Sequence, residues 1–320
     1  AVAREITRLK PDVVISGNTP LDAQAPIIRA THASGGAFVN WIQDFYGLAI
    51  ERLIAPRWGG AGRVAAAYYR LKERAQLKSS DALVLISEGF RDHLPKTVQL
   101  SKPIAVIPNW GALADISLRP RVNAWSDEHH LSDQFVFLYS GTLGLKHNPD
   151  LLLALADAFV AQPEVRVVVA AAGLGLDRLR TDLAAKPRRN ITLLPLQSFD
   201  RLPDMLGSAD ILVALLEQDA GEFSVPSKVQ SHLCAGRAIL LSAPLDNPAV
   251  RVVVDEKAGE VTPPDDAQSF IEAATRLYGD SSGRSQAARN GRAYAERTFD
   301  IERIAGEFEA VLEAARALRG

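Results

Sequence analysis

Residues 222–236, EFSVPSKVQSHLCAG, carry the types and spacing best suited to meeting an anion. Ser224, Val225, Pro226, Ser227 and Lys228 lead into an apolar pattern, Val229, Leu233 and Cys234, at helical spacing. Pro226 suits the first helical position, because its φ is already helical and the N–H it lacks would have had no partner there. Ser224 or Ser227 can cap, and the free N–H groups and dipole of a helix start favour phosphate or carboxylate. Lys228 adds a full positive charge where it opposes the helix dipole, so a negative ligand is expected beside it. An ordinary capped helix with a solvated lysine is the competing reading.

Two further stretches combine small residues with charge. Residues 139–149, YSGTLGLKHNP, place Gly141, Thr142 and Gly144 where a ligand can approach the backbone, with Lys146 to neutralise a phosphate and Asn148-Pro149 to start a helix. Residues 172–175, AGLG, form a tight strand-to-helix turn around Gly173. Glycine in such turns also serves close packing, so each loop alone is weak. Together with Ser227 and Lys228 they would open at one edge of a parallel sheet, where two lysines and a helix N-terminus suit a diphosphate. Gln43 and Asp44 follow the apolar run 37–42, at the carboxyl end of a strand, where open parallel sheets meet ligands. A loop aspartate capping the next helix explains Asp44 equally well.

Other chemistries find no support. The sequence has no G-x-G-x-x-G, P-loop or G-x-S-x-G pattern. No two aspartates stand two apart, and the six histidines form no ligand spacing; His129-His130 reads as surface. No metal and no cofactor are expected. The single cysteine, Cys234, lies in an apolar helical pattern and reads as a small core residue in a reducing, cytoplasmic compartment. A net charge of −2 gives no argument for nucleic acid. No apolar run reaches the roughly 18 residues that span a bilayer.

These residues need a scaffold of parallel strands. Short apolar runs ending in turn residues predict strands at 12–18, 37–42, 82–86 and 104–107, then at 135–139, 165–170, 191–194, 211–215, 238–241 and 259–262. Helical patterns separate them, including 21–30, 149–161, 176–185, 200–206 and 227–235, and three more close the chain. Alternation at this spacing indicates open parallel α/β sheets covered on both faces. Polar residues 119–133 read as an interdomain linker. Residues 51–79 mix Arg52, Arg63, Arg70, Lys72, Arg74 and Lys78 with Trp58, Tyr68 and Tyr69, and residues 59–62 break them into two helical pieces. A basic, aromatic amphipathic helix can lie on an anionic membrane surface, although a charged face is more often simply solvated.

The order of WIQDFY (41–46), LISEGF (85–90), IPNW (107–110), YSGTLG (139–144) and SVPSK (224–228) resembles the family-four, group 1 retaining glycosyltransferases. The branch typified by the colanic acid and L-fucosamine transferases of surface polysaccharide synthesis is the most similar. The resemblance covers nearly the whole chain. It implies a GT-B fold of two Rossmann-like domains facing across a cleft, at 1–118 and 119–298, with a last helix in 299–320 crossing back to the first. It also implies metal-free transfer, with retention, of a sugar from a nucleoside diphosphate, expected to be UDP, to a lipid-linked or polysaccharide acceptor at the inner face of the membrane.

Residue by residue, Gly141, Thr142 and Lys146 match the family's diphosphate loop and Ser227-Lys228 its phosphate-contacting helix start. Gln43 and Asp44 match the acceptor-side pair, with Gln43 where many members have histidine. Gly173 and Ser231 fall on the nucleotide side, and Glu222, Phe223 and Ser224 on the donor-sugar side. Departures accompany the match. Thr142 stands where many members have arginine, and Phe223 and Ser231 occupy the positions of two usual glutamates. The opening strands of the family precede the segment matching residues 10–16, so the first domain is expected to be N-terminally incomplete, and activity of the shortened chain is open. A GT-B sugar-nucleotide epimerase and a non-catalytic sugar-binding protein are the rival readings.

Overall fold

The computed structural model describes residues 1–144, 147–218 and 227–319, apart from the side chains of Leu53 and Arg57. The chain forms two compact units, one of residues 1–109 with 300–320, the other of residues 110–299.

In the first unit four strands, β1 (Val13–Gly17), β2 (Ala37–Ile42), β3 (Ala82–Leu85) and β4 (Ile104–Val106), pair in parallel in simple sequential order. All four residues of β3 are buried, as a strand covered on both faces requires. Helix Ile301–Ala317 packs on β1, β2 and β3, with Phe308 set edge-on to Trp41 at 5.1 Å. Asp81, just before β3, ties this arrangement together. Its carboxylate accepts from the Phe38 N–H (2.7 Å), His32 Nε2 (2.9 Å) and Arg319 Nε (2.9 Å). Burial alone would raise its pKa, but those three donors outweigh it and hold the carboxyl below its ordinary value. Asp81→Ala is expected to cost about 1–3 kcal/mol in urea unfolding, because it strands the buried Phe38 amide and removes the partner of His32 and Arg319. The loss should shrink as pH falls through the depressed Asp81 pKa, since the wild-type interaction disappears there.

Residues 59–62 break the basic stretch into two helical pieces at their first residue. Turns of π- and 3-10-helix at Ile50–Ile54 and Ala55–Trp58 lead into one continuous helix, Gly59–Ser79. The break sits at Gly59, whose φ is +56°, and Gly62 is small because a Cβ would lie 2.4 Å from the Ala55 carbonyl oxygen.

Among its described residues the second unit has six parallel strands, β5 (Phe135–Thr142), β6 (Val165–Ala172), β7 (Ile191–Pro195), β8 (Ile211–Leu215), β9 (Ala238–Ser242) and β10 (Gly259–Thr262). Their spatial order, β7-β6-β5-β8-β9-β10, is that of a dinucleotide-binding Rossmann sheet. Phe137, Leu152, Phe159, Val169, Val213 and Phe270 centre its core. The strand order reverses between β5 and β8, which opens a crevice beyond their carboxyl ends.

Residues 119–133 are no linker; they belong to this unit. Asn123 caps the short helix Ala124–Glu128 in a reciprocal box with Ser126, Trp125 is fully buried, and Arg121 pairs with Asp210 at 2.9 Å. The chain passes between units earlier, at 109–110. His129 is not simply surface either, since its ring packs 4.2 Å from that of Trp125 and burial lowers its pKa.

Candidate active site

Helix Lys228–Ala235 starts beside the β5–β8 crevice. Ser227 occupies its N-cap in helical conformation without a side-chain capping bond among the described residues; Ser224, the other candidate cap, and Pro226 lie outside those residues. Lys228 Nζ donates to the Thr142 carbonyl at 3.1 Å and lies 5.2 Å from the Tyr139 ring centroid. The lysine charge is thus drawn onto the end of β5. Gly141, at φ +104°, allows this approach: a Cβ would meet Lys228 Cε at 3.1 Å. Tyr139 is buried and supports the same turn through its hydroxyl, which donates to the Thr142 carbonyl at 2.7 Å.

Gly141, Ser227, Lys228 and Ser231 line one cavity of about 160 Å³. Two residues that the sequence reading missed join them, Gln197 after β7 and His232 one turn beyond Lys228. Gln197 Oε1 accepts from Trp125 Nε1 at 3.2 Å. His232 is fully buried, neither ring nitrogen finds a hydrogen-bond partner among the described residues, and burial, aided by Lys228, pushes its pKa down to about 3. The i, i+4 spacing from Lys228 was the signal that could have found it. Lys146, Glu222, Phe223 and Ser224 lie outside the described residues.

Gly173 is not part of that cavity's lining; it shapes the neighbouring loop. At φ +111° it brings the chain so close that a Cβ would sit 2.9 Å from the Leu143 carbonyl oxygen, which accepts from the Gly175 N–H at 2.8 Å. Gly173→Ala is expected to lower stability by about 1–3 kcal/mol, read from urea unfolding, because this backbone region is nearly closed to residues with a Cβ. Cys234 is a core residue, as expected, with burial pushing its thiol up to about 12.

In the first unit Gln43 and Asp44 follow β2 and line a small cavity with Asn18, Asn40 and Tyr46. Glu73, unnoticed in the sequence, joins them from helix Gly59–Ser79. It is 7% exposed, accepts from the Gly47 N–H at 3.0 Å, and has its pKa raised by burial. Its signal was an acidic residue on the helix's inward face, in register with Ala66, Gln76 and Leu77.

A Rossmann sheet with a cation and a helix start at its switch point is an arrangement suited to an anionic ligand. The family described as glycosyl transferases group 1 matches residues 123–294, more than half of the chain, and the chain belongs to that family. It is a glycosyltransferase of GT-B class, and the epimerase and sugar-binding readings are not favoured. A relative in Escherichia coli (strain K12), named for colanic acid biosynthesis as the glycosyl transferase WcaI, is 26% identical over 94% of this chain and 74% of its own. Among solved structures, Anabaena Alr3699/HepE in complex with UDP and glucose superposes with a TM-score of 0.76, at 14% identity, over 98% of this chain and 81% of its own. Sucrose-phosphate synthase (tll1590) from Thermosynechococcus elongatus gives 0.71, at 14% identity, over 98% and 76%.

Proposed function

We propose that the chain transfers a sugar, with retention and without a metal, from a nucleoside diphosphate donor, UDP in the first instance, to a lipid-linked or polysaccharide acceptor. The convergence of Gly141, Ser227, Lys228 and Ser231 on one cavity at the β5–β8 switch point carries this reading. Lys228 and the N–H groups of its helix would stabilise the charge that grows on the leaving diphosphate, and Lys146 would add a second cation from its loop. Ser231, Gly173 and Gln197 are assigned to the nucleotide side, Glu222, Phe223 and Ser224 to the donor sugar. Gln43 and Asp44 are assigned to the acceptor, with Glu73 supporting the loop that follows them. The UDP and glucose named with Alr3699/HepE and the polysaccharide product named with WcaI support the choice of donor and acceptor.

An acceptor carried on lipid calls for contact with the membrane's inner face. Among the described residues no helix is long and apolar enough to cross a membrane. Helix Gly59–Ser79 instead exposes Val64, Tyr68 and Leu71 along one side, at i, i+4 and i+7, with Arg63, Arg74 and Lys78 also exposed. That face suits an anionic surface. Sedimentation with anionic vesicles should recover the chain at low salt and release it at high salt; equal recovery with neutral vesicles would remove this contact.

Thermal unfolding with a panel of nucleoside diphosphates tests the donor assignment. At about 100 times the dissociation constant, linkage gives ~2.7 kcal/mol of stabilisation. UDP is expected to give the largest shift, and no shift with any nucleotide would overturn the donor site.

A further inference from the structure

The opposite edge of the second unit's sheet holds a cavity of about 690 Å³ that the donor site does not use. Asp210 precedes β8 and Arg237 precedes β9, so the cavity opens at the amino ends of the strands. Six arginines line it: Arg119, Arg121, Arg237, Arg284, Arg289 and Arg292. Only two acidic residues, Asp210 and Glu296, share the lining. Arg121 pairs with Asp210 (2.9 Å), Arg292 with Glu296 (2.7 Å), and Arg119 with Asp204 (3.0 Å) outside the cavity. Arg237, Arg284 and Arg289 have no carboxylate partner among the described residues. Like charges gathered this way repel, and burial lowers the pKa of Arg237, with Asp210 opposing and Arg121 adding to the effect.

Structural duty accounts for part of the cluster. Arg284 Nη1 donates to the Leu277 and Tyr278 carbonyls near the end of helix Ala267–Gly279. Arg292 Nη1 donates to Cys234 O (2.6 Å) near the end of Lys228–Ala235, and Arg237 to Gly207 O (2.7 Å) at the end of Leu202–Gly207. Arginines there satisfy orphan carbonyls and oppose the negative pole of each helix. The duty occupies only one edge of most forks. Arg284 Nε and Nη2, Arg289 Nε and Nη1, and Arg292 Nη2 have no hydrogen-bond partner among the described residues, although the Arg284 guanidinium lies 4.8 Å from the Phe135 ring centroid, and Arg121 Nη1 is buried without a hydrogen bond. Arg289 has the lightest role, a single bond to Gln286 Oε1 at 2.6 Å.

We propose that this cavity is a second anion site, in which Arg121, Arg284, Arg289 and Arg292 bind a ligand carrying two or more phosphates. Planar guanidinium forks match phosphate oxygens bidentately. Arg284, Arg289 and Arg292 rise along one helix, Ser281–Thr298, over about 12 Å at 1.5 Å per residue. That run exceeds one phosphate, which selects a diphosphate-class anion, either soluble or presented as a lipid headgroup. The site is independent of the donor reading, since it shares no lining residue with the donor cavity.

Calorimetric titration of inorganic diphosphate at low salt tests it, using the full chain, Lys228→Ala, and Arg284→Gln and Arg289→Gln each added to Lys228→Ala. Lys228→Ala removes diphosphate binding at the donor side, so the binding that survives in it reports the cavity. That component should weaken roughly tenfold in Arg289→Gln, the loss of one charge-assisted contact, and at least as much in Arg284→Gln. Arg289→Gln should keep the unfolding midpoint of Lys228→Ala, so a folding defect in Arg284→Gln would leave the test intact. Vesicles of phosphatidylcholine with and without phosphatidic acid separate the sources. Recovery that falls in Arg289→Gln more than diphosphate affinity does assigns a lipid headgroup; affinity that falls with recovery unchanged assigns a soluble ligand. The site is overturned if no diphosphate binding survives Lys228→Ala, or if Arg289→Gln leaves the surviving component untouched.

Discussion

Lys228→Glu should erase the thermal stabilisation by UDP while leaving a folded protein. The lysine is half-buried at the start of its helix, donates to the Thr142 carbonyl and sits over the Tyr139 ring. Losing those contacts costs about 1–2 kcal/mol of stability. A negative side chain there also gains from the helix dipole, which offsets part of that cost. The effect on the donor is much larger. At an effective dielectric of about 20, a unit charge roughly 4 Å from another is worth about 4 kcal/mol, so replacing attraction by repulsion should weaken diphosphate binding by more than about a thousandfold. Lys228→Met should lose the attraction without adding repulsion and fall between the two. Unfolding scans of the three proteins with and without UDP read the order directly. A full shift in Lys228→Glu would take Lys228 out of the site and leave the helix N–H groups as its anion contact.

The elements behind this site were legible because a parallel sheet covered on both faces needs unbroken apolar strands. Residues 211–215, ILVAL, are all buried in β8, and 82–85, ALVL, all buried in β3. Strand ends were less legible: β5 runs three residues beyond the apolar run, because Ser140, Gly141 and Thr142 pair in register with Ala170, Ala171 and Ala172 despite their polarity. Residues 119–133 misled for the same reason in reverse. Their polar side chains are spent on internal bonds, Asn123 with Ser126 and Arg121 with Asp210 and the Leu131 carbonyl, and composition cannot distinguish such bonds from solvation. Lys228 and Gly141 were found because their neighbours announce a helix start and a turn. His232 and Glu73 carried only a faint local mark, a helical spacing from Lys228 and an inward helix face, and Gln197 carried none, because it reaches its cavity only through pairings between segments far apart in sequence.

His232→Leu should flatten the acid limb of the stability curve. The wild-type imidazole is fully buried and its pKa is pushed from 6.5 down to about 3, chiefly by burial and secondarily by Lys228. Below pH 6.5 the unfolded chain therefore takes up a proton that the folded chain refuses, and stability falls as pH falls. The slope from this one residue approaches about 1.4 kcal/mol per pH unit well below pH 6.5, giving roughly 2 kcal/mol between pH 6.5 and 4.5. Burial also shifts two other groups. His129, with its pKa lowered by burial, acts in the same direction, whereas Glu73, with its pKa raised by burial, acts in the opposite one. Both are unchanged in the variant, so subtracting urea-derived stabilities of the two proteins at each pH isolates His232. At neutral pH the variant should be no less stable, because leucine replaces two buried nitrogens that have no hydrogen-bond partner among the described residues with apolar surface of similar size. Parallel acid limbs would mean that the folded protein can protonate this imidazole. UDP stabilisation measured on the same variant at neutral pH then separates its two roles: if His232 only fills the core the shift stays whole, and if its ring meets the nucleotide the shift shrinks while stability does not.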